Sequence, residues 1–423
     1  MNKSLILTLL ICISGFVNAQ SSILEELRSN PRLQVEKIET FPGYDESFLI
    51  MMNQPIDHEN PELGSFNQRI WLNHLNKKAP VVMVTEGYSA PRNYQTEIAK
   101  ELKANQLIVE HRYFLESTPE NKDWRYLTVK NAAADHHEII ELFKDIYKGK
   151  WLTTGISKGG QTTLFHRAFY PNDVDVSVPY VAPINFYKED PRLLDFFDHV
   201  GTKEDREKVH QFQVLVLEKK KELLPLFITY CNEQNLYFSM GFEKAYEMAV
   251  LEYPFAFWQW GNPVSEIPEE SDSNAEIMEH FIKGASPSYF ADQVMKQYES
   301  FFYQAYRELG YYNYVPGDLK PLMNVIKQDT VSNHIFAPVG DTLIYNRNTM
   351  LYVSERLHKK NPRMVLICGE YDPWGSTSLD VTGMSHSLKV VKPKGSHRAR
   401  INNLSEAKKE EVWALIKKWM KVD

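Results

Sequence analysis

Short apolar runs alternate with amphipathic segments over the first part of the chain, from about Ser22 to Asn185. We predict strands at these runs: Phe48 to Met52, Gln68 to Leu72, Val81 to Thr85, Leu107 to Glu110, Trp151 to Thr154 and Ser177 to Val181. Runs without a polar residue, such as 81–84, are typical of parallel strands that are buried on both faces. Between these runs a helix is predicted from Val129 to Tyr147, with Thr128 as its N-cap. The alternation of strands and helices indicates an α/β fold.

The middle of the chain, from about Phe186 to Phe336, has a different pattern, which predicts helices and few strands. Charged and aromatic residues recur there at helical period in three stretches: Lys203 to Tyr230, Phe242 to Glu252 and Pro287 to Leu309. Strand and helix alternation then returns, with the predicted elements Met364 to Cys368, Leu388 to Val391 and the helix Ser405 to Met420. We therefore expect one sheet with an inserted helical cap over the carboxyl ends of its strands, where open α/β sheets bind ligands.

These patterns predict four parts of the chain: a signal peptide at 1–19, the first part of an α/β core at 20–185, a helical cap at 186–336 and the second part of the core at 337–423. The N-terminal segment has a positive charge at Lys3, an apolar run over 5–17 and a small-residue cleavage signature ending at Ala19. The apolar run is too short for a stable membrane span, which needs roughly 18 residues or more. We expect an exported protein, periplasmic or secreted, with no membrane insertion after removal of the signal.

Composition and charge narrow the possible partners. The net charge of −7 disfavours nucleic acids and anionic membranes. Of the three cysteines, Cys12 would leave with the signal, and we favour Cys231 and Cys368 as unpaired thiols because a chain this long has enough core without a disulfide. The stretch 135–138 contains two histidines and two acids, but adjacent histidines on a helix point in different directions. No metal and no cofactor are predicted.

The stretch Gly155-Ile156-Ser157-Lys158-Gly159 has the pattern Gly-x-Ser-x-Gly. It lies where the strand at 151–154 ends and a helix from Gln161 to Phe169 is predicted to begin. A serine on such a sharp turn has an exposed hydroxyl, with the amides of a helix N-terminus beneath it. Ser157 is therefore predicted to be the nucleophile of a serine hydrolase that forms a covalent acyl-enzyme.

A nucleophilic serine needs a base, and the base needs a carboxylate that orients it; in this type of fold the chain order is serine, acid, histidine. Asp372 follows the predicted strand at 364–368, and His397 follows the one at 388–391. Taken singly, Asp372 is explained as a turn residue before a proline, and His397 as a surface histidine. Their order and their positions after strands favour a triad with Ser157.

An oxyanion hole needs two backbone N–H donors. Lys158, directly after the serine, supplies one by its position. The other is expected from the loop that follows the strand at 81–85, where Gly87 and Tyr88 are the candidates. A simple turn at Gly87 is an equally good explanation of that glycine.

Several motifs resemble those of the prolyl carboxypeptidase and dipeptidyl-peptidase II family. They are Gln54 to His58, Phe66 to Arg69, Glu110 to Pro119, Tyr126 to Thr128, Ala132 to Asp135, Tyr303-Gln304 to Tyr311, and Gly369 to Trp374. The serine motif Gly-Ile-Ser-Lys-Gly-Gly and the histidine context Gly395-Ser396-His397 depart from that family. They are more similar to the related secreted bacterial prolyl tripeptidyl aminopeptidases. This resemblance implies an α/β-hydrolase core with a helical cap, and an exopeptidase that cleaves after proline.

An exopeptidase that acts at a free amino terminus needs an anion to hold the substrate ammonium. Glu86 is the best candidate by position, and Glu110 and Glu308 are weaker ones; a structural salt bridge is the alternative for each. Gln304 and Trp374 lie in motifs covered by the resemblance and are further candidate substrate contacts. The pocket for the residue before the scissile bond is expected to be apolar, with core packing as the alternative for each of its candidates: Tyr88, Trp374, Trp258 and Phe302.

Two other functions stay open on the sequence. A carboxylic-ester hydrolase would use the same triad and would lack an acidic anchor in its pocket. A non-catalytic binding protein on a hydrolase scaffold is the second, although the complete set of serine, acid and histidine argues against it. Peptides are the expected substrates.

Overall fold

The computed structural model describes residues 22–338 and 342–422, so the predicted signal peptide lies outside the described residues. Its strands are β1 (Leu33–Ile38), β2 (Glu46–Pro55), β3 (Ser65–His74), β4 (Val81–Thr85), β5 (Asn105–Val109), β6 (Trp151–Ile156), β7 (Val176–Tyr180), β8 (Asn313–Tyr314), β9 (Val331–Ser332), β10 (Met364–Gly369) and β11 (Ser387–Lys392). Every strand predicted from the apolar runs is present. β1 was not predicted, because its alternating polar positions belong to a strand at the edge of the sheet.

The α-helices are α1 (Ile23–Ser29), α2 (Glu97–Glu101), α3 (Val129–Ile146), α4 (Lys158–Phe169), α5 (Arg192–His199), α6 (Lys203–Glu218), α7 (Lys220–Glu233), α8 (Phe242–Trp260), α9 (Asn274–Gly284), α10 (Asp292–Gln297), α11 (Glu299–Gln304), α12 (Asn348–Lys360) and α13 (Glu406–Met420). The predicted cap of α3 is present, since the Thr128 side chain accepts the N–H of Asn131. Among the described residues, no helix combines the length and apolar character that crossing a bilayer requires.

Nine strands form one sheet in the order β1-β2-β3-β5-β4-β6-β7-β10-β11. The pairings β1–β2, β2–β3 and β3–β5 are antiparallel. The remaining pairings, from β5 to β11, are parallel. The carboxyl ends of the parallel strands therefore meet at one edge of the sheet. This strand order, with helices on both faces, is the α/β-hydrolase fold that the motif resemblance implied.

The segment between β7 and β10 adds no strand to this sheet. It forms α5 to α11, the small pair β8–β9 and a core of its own that is rich in aromatic side chains. Tyr113, Leu127 and Trp374 from the sheet side join that core, so the helical segment packs directly onto the loops at the sheet edge. The domain boundaries predicted at 185/186 and 336/337 stay a prediction.

Two of the predicted helices of this segment are divided in the structure. The stretch 203–230 forms α6 and α7, which meet at Lys219. The stretch 287–309 breaks into short helices and ends in a π-helical turn at Ala305–Leu309, which is closed by the N–H of Gly310 on the carbonyl of Ala305. Single-turn π-helices often occur at functional sites.

The predicted helix that starts at Phe242 is longer than expected. It continues past Glu252 to Trp260 although Pro254 lies inside it. A proline removes one helical hydrogen bond and leaves the carbonyl four residues earlier without its partner. The side-chain amide of Gln213 donates to that carbonyl, on Val250, at 2.7 Å. This contact from α6 allows the helix to continue.

Cys231 and Cys368 are both buried and unpaired. The prediction of two free thiols is confirmed. Burial raises the pKa of each thiol, to about 12 for Cys231, which keeps it in the unreactive protonated form.

Candidate active site

Ser157 lies on the turn between β6 and α4, where the sequence motif placed it. Its backbone has φ 57° and ψ −122°, a conformation that is strained for any residue with a side chain. Two hydrogen bonds hold the turn: the Ser157 N–H donates to the carbonyl of Tyr180, and its carbonyl accepts the N–H of Gln161, each at 2.9 Å. A Cβ at Gly155 would lie 2.2 Å from the carbonyl oxygen of Gly159, so only glycine fits beneath the turn.

Asp372 and His397 are brought together by the loops that follow β10 and β11. His397 Nδ1 lies 2.8 Å from Asp372 Oδ2, and both side chains are buried. Because a carboxylate can only accept, Nδ1 is the donor, and Nε2 is left with a free lone pair. The other carboxylate oxygen accepts the backbone N–H of Trp374 at 3.2 Å.

The helical segment also contacts the histidine loop. The His397 backbone N–H donates to the carbonyl of Gln259, near the end of α8, at 2.8 Å. The ring of Trp260 meets the imidazole edge to face, with 5.8 Å between the ring centroids. The position of the imidazole is therefore set from both the sheet side and the helical side.

Ser157 and His397 line the same cavity of about 660 Å³ between the sheet edge and the helical segment. The sheet side contributes Glu86 and Trp374 to its wall. The helical side contributes Glu252 and a group of aromatic side chains: Trp260, Tyr289, Tyr298, Phe302, Tyr311 and Tyr312. A concave site with aromatic walls and a few polar groups is the usual form of a small-molecule or peptide-end site.

The two predicted oxyanion positions lie side by side. Gly87 packs against the first turn of α4 so closely that a Cβ there would lie 2.5 Å from the backbone nitrogen of Gly159. Among the described residues, no backbone carbonyl accepts the N–H of Gly87 or of Tyr88. These N–H groups and that of Lys158, in the unpaired first turn of a helix, are available for an oxyanion.

The Lys158 side chain is a feature that the sequence analysis did not find. It is buried, and its Nζ donates to the carbonyl of Gly87 at 2.6 Å. The amine also lies 5.6 Å from the ring centroids of both Tyr88 and Phe114. Desolvation by burial lowers its pKa well below the usual value, and no carboxylate among the described residues forms an ion pair with it. This hydrogen bond therefore holds α4 and the loop of Gly87 together.

The sequence-predicted anchors separate into two groups. Glu86 and Trp374 line the cavity. Desolvation raises the pKa of Glu86, although the hydroxyl of Tyr94 donates to its carboxylate. Glu110, Glu308 and Gln304 are not among the lining residues.

Glu110 and Glu308 have structural partners instead. Glu110 accepts the N–H of Ala90 at 2.8 Å and the hydroxyl of Ser117 at 2.9 Å, and it pairs with Arg69 at 3.5 Å. Glu308 accepts the N–H of Val129 at the start of α3 at 2.8 Å. This is the favourable place for a carboxylate, at the positive end of a helix. Both side chains are occupied in holding loops and helix ends.

Of the residues predicted to line the apolar pocket, Tyr88, Trp374 and Phe302 lie on the cavity wall. Trp258 does not, because the helix turns it away from the cavity against Tyr371, with 5.2 Å between the ring centroids.

Glu252 was not predicted as a site residue. A signal was present, since it is the one charged residue in the otherwise apolar stretch 248–258.

A serine on a strained turn, a histidine paired with an aspartate and one shared cavity at the carboxyl edge of the sheet define a serine hydrolase. The chain belongs to the PS-10 peptidase S37 family, whose model matches residues 19–423. It is therefore a serine peptidase. The motif resemblance to the prolyl tripeptidyl aminopeptidases is confirmed at the level of the family.

The chain is similar to several known proteins. A prolyl tri/tetrapeptidyl aminopeptidase from Streptomyces mobaraensis is 28% identical over 412 residues, which cover 95% of this chain and 85% of the relative. Prolyl carboxy peptidase like protein 5 from Caenorhabditis elegans is 26% identical over 180 residues, or 38% of this chain and 35% of the relative. Among solved structures, the proline iminopeptidase of Mycobacterium smegmatis has a TM-score of 0.42 at 11% identity, covering 88% of this chain and 97% of that one.

Proposed function

We propose that this peptidase releases short peptides, chiefly tripeptides, from free amino termini by cleaving after proline. The similarity to a prolyl tri/tetrapeptidyl aminopeptidase over 95% of the chain supports this specificity. The cavity of about 660 Å³ is within the size range of sites that surround a small ligand, about 300–1,000 Å³. Helices bound it on the side away from the sheet, which favours the end of a peptide over the middle of a long chain.

In the proposed reaction, Ser157 Oγ attacks the carbonyl carbon of the residue before the scissile bond. His397 Nε2 takes the hydroxyl proton as the new C–O bond forms, and Asp372 holds the imidazole and stabilises the imidazolium. The carbonyl oxygen becomes an oxyanion, which accepts hydrogen bonds from the Lys158 N–H and from an N–H of the Gly87–Tyr88 loop.

Collapse of this intermediate breaks the C–N bond. The imidazolium of His397 returns its proton to the leaving amine, which departs, and the N-terminal peptide fragment stays bound to Ser157 as an ester. A water molecule then attacks the ester carbonyl and gives up a proton to His397. That proton passes to Ser157 Oγ when the acid product leaves, so the enzyme returns to its starting state.

Aromatic rings suit proline in the position before the scissile bond. A proline residue there presents an apolar ring and no N–H group, so it loses little by leaving water and needs no backbone acceptor. Tyr88, Phe302 and Trp374 offer ring faces on the cavity wall. Packing of the proline ring against them is the proposed source of the preference.

One observation carries the proposal: His397, which is hydrogen-bonded to Asp372, lines the cavity that Ser157 also lines. The test uses synthetic peptides with a proline at position two, three, four or five, each with a free or an acetylated amino terminus. Mass spectrometry of the products should find fragments that end in proline at position three, with acetylated peptides cleaved at least about 100-fold more slowly, the size expected from loss of a charged contact. Fragments released from the carboxyl end, or hydrolysis of esters alone, would refute the proposed specificity.

We further propose that the protein is exported after removal of residues 1–19. The charge at Lys3, the apolar run and the small residue at Ala19 support this, and so does the start of the family match at residue 19. Mass spectrometry of the protein made in its natural host should find Gln20, free or cyclised, as the first residue. A mature chain that still begins at Met1 contradicts the proposal.

A further inference from the structure

Glu252 is a buried carboxylate in the wall of the active-site cavity. It belongs to α8, is 6% exposed and lines the same cavity as Ser157 and His397. The hydroxyls of Tyr312 and Tyr314 donate to its Oε2 at 2.9 and 2.8 Å. Among the described residues, these hydroxyls are its hydrogen-bond donors, and no lysine, arginine or histidine forms an ion pair with it. The carboxylate therefore has neutral partners on one oxygen and no positive charge beside it.

Glu247, five residues earlier in the same helix, is a buried carboxylate with its charge compensated. Burial itself acts to raise its pKa, but Lys220 Nζ at 2.6 Å and the N–H groups of Asn324 and Ile326 at 2.6 and 2.7 Å lower it overall. At Glu252, desolvation dominates and raises the pKa to about 7. A buried acid without a cation costs stability, and such a group in a cleft indicates a functional role.

The helix α8 connects Glu252 to the residue that contacts the loop of the proposed base. The carbonyl of Gln259 accepts the backbone N–H of His397, and Glu252 lies seven residues before Gln259. At 1.5 Å per residue this separation is about 10 Å along the helix axis. Three extended peptide residues span at most about 10 Å. Along the helix axis, the backbone of Glu252 is therefore about one tripeptide length from the contact between α8 and the loop of the proposed base.

Aromatic packing connects Glu252 to the loop of the triad acid. Tyr312, one of its two hydrogen-bond donors, has its ring centroid 5.7 Å from that of Trp374. The backbone N–H of Trp374 donates to Asp372. On its other side, Tyr312 stacks on Phe255 of α8, with 3.9 Å between the centroids. The distance between this carboxylate and the triad is thus fixed by packed rings.

Glu86, the anchor predicted from the sequence, occupies a different place. It precedes Gly87, in the loop that packs against the turn of Ser157. Its carboxylate accepts the hydroxyl of Tyr94. Along the backbone, Glu86 is next to the candidate oxyanion residue Gly87, whereas the ammonium of a bound tripeptide lies three residues from the scissile bond.

We propose that Glu252 binds the α-ammonium group of the third residue before the scissile bond and so sets the length of the released peptide. This inference rests on the proposed aminopeptidase function and assigns the residue that recognises the substrate end. The ammonium occupies the side of Oε1, while the tyrosine hydroxyls continue to hold Oε2. Binding places a positive charge next to a buried negative one, which is favourable because the cavity shields the pair from water.

The test compares wild type with Glu252→Gln, which keeps the shape and removes the charge. The substrates are Ala-Ala-Pro-p-nitroanilide with a free amine, its acetylated form, and the shorter Ala-Pro-p-nitroanilide. For the free tripeptide we expect kcat/KM to fall at least about 30-fold, mainly through KM, because a buried charge contact is lost. Cleavage of the acetylated substrate should stay as in wild type, and the preference for three residues over two should decrease.

Control variants keep the result interpretable. Glu243→Gln changes a half-buried acid of the same helix, which pairs with Lys220 at 2.7 Å and does not line the cavity, and should leave all three substrates unaffected. Glu252→Asp retains the charge and should retain the preference for the free amine. Labelling of Ser157 by a fluorophosphonate at the wild-type rate shows that the triad of each variant is intact.

The outcomes separate the inference from the function it rests on. Equal losses on free and acetylated substrates in Glu252→Gln, with normal labelling, make Glu252 a structural residue and overturn the inference. A selective loss in Glu86→Gln instead assigns the amine to Glu86 and also overturns it. If Glu252→Gln does not fold, a folded Glu252→Asp decides: a higher KM for the free amine than in wild type, with the acetylated substrate unchanged, supports the inference, and equal changes on both substrates overturn it. A wild-type enzyme that does not distinguish free from acetylated peptides refutes the proposed aminopeptidase function itself.

Discussion

The two walls of the cavity differ in construction and in what they contribute. On the sheet side, loops that follow β4, β6, β10 and β11 hold the candidate oxyanion donors, nucleophile, acid and base. On the helical side, α8, α11 and the residues that follow the π-helical turn present a buried carboxylate and aromatic rings. The candidate groups for bond cleavage are thus on the sheet side, the buried carboxylate is on the inserted helices, and aromatic rings that suit a substrate line both walls.

This separation of roles explains how one fold can serve many substrates. The carboxyl ends of parallel strands meet at one edge whatever covers them, so the chemical groups keep their arrangement when the covering segment changes. A change of a triad residue on the sheet side should therefore lower the turnover of every substrate by the same factor. A change on the helical side should alter the relative rates of different substrates.

Replacing the nucleophile gives the largest effect. In Ser157→Ala we expect kcat to fall about 10⁵- to 10⁶-fold, since no covalent intermediate can form. The fall should be the same for tripeptide and dipeptide p-nitroanilides, as measured in steady-state assays with high enzyme concentrations. A variant that retains activity on one substrate preferentially would show that Ser157 also contributes to the selection of substrates.

The second-largest effect is expected for Asp372→Asn, in which kcat should fall about 10⁴-fold. The amide can donate to Nδ1, which leaves the proton on Nε2 and blocks proton transfer from Ser157. Steady-state kinetics, with KM as the internal control for substrate binding, measure the effect. A fall of less than 10-fold would mean that Asp372 is not the orienting acid.

Lys158→Met tests the hydrogen bond that connects α4 to the oxyanion loop. Without the amine, the carbonyl of Gly87 loses its donor and the loop loses its fixed position. Since the oxyanion exists only in the transition state, kcat should fall about 100- to 1,000-fold while KM changes little. Thermal unfolding followed by circular dichroism checks that the variant is folded. A rise in KM with kcat unchanged would assign the lysine to substrate binding instead.

The smallest effect concerns stability and comes from the helical wall. The pKa of Glu252 is about 7 in the folded protein, above its ordinary value of 4.5. Between these two values the folded state holds a proton that the unfolded chain has released, so this group lowers stability as the pH rises and its full penalty is present above pH 7. Glu252→Gln should therefore gain up to about 3 kcal/mol of unfolding free energy relative to wild type between pH 4.5 and pH 8.

Urea unfolding of wild type and Glu252→Gln at pH 4.5 and at pH 8 measures this difference. Effects of the substitution that do not depend on pH cancel when the results at the two pH values are subtracted. A difference that does not change with pH would mean that Glu252 is not destabilised by burial. The helical wall would then carry no uncompensated charge, and its contrast with the sheet wall would be weaker.

The sheet and its loops were predictable because their determinants are local. Buried parallel strands are continuous apolar runs, and the motif around Ser157 marks a strand-to-helix turn that chain connectivity alone produces. Chain order then restricted the acid and the base to residues that follow later strands. The positions of Asp372 and His397 could therefore be predicted without any knowledge of the helical segment.

The recognition residues depend on contacts between distant parts of the chain. Glu110 and Glu308 were predicted as weaker candidate anchors, but backbone N–H groups 20 and 179 residues away occupy them. Glu252 could have been noticed as a lone charge in an apolar helix, yet its distance from the triad depends on where α8 ends against the loop of His397. Sequence patterns do not contain that distance.

The most direct measurement is mass mapping of the fluorophosphonate adduct on the mature enzyme. We expect a single adduct, on Ser157, which forms in wild type and disappears in both Ser157→Ala and His397→Gln. An adduct on another residue would contradict the assignment of the site. So would a wild-type enzyme that stays unlabelled while it hydrolyses Ala-Ala-Pro-p-nitroanilide.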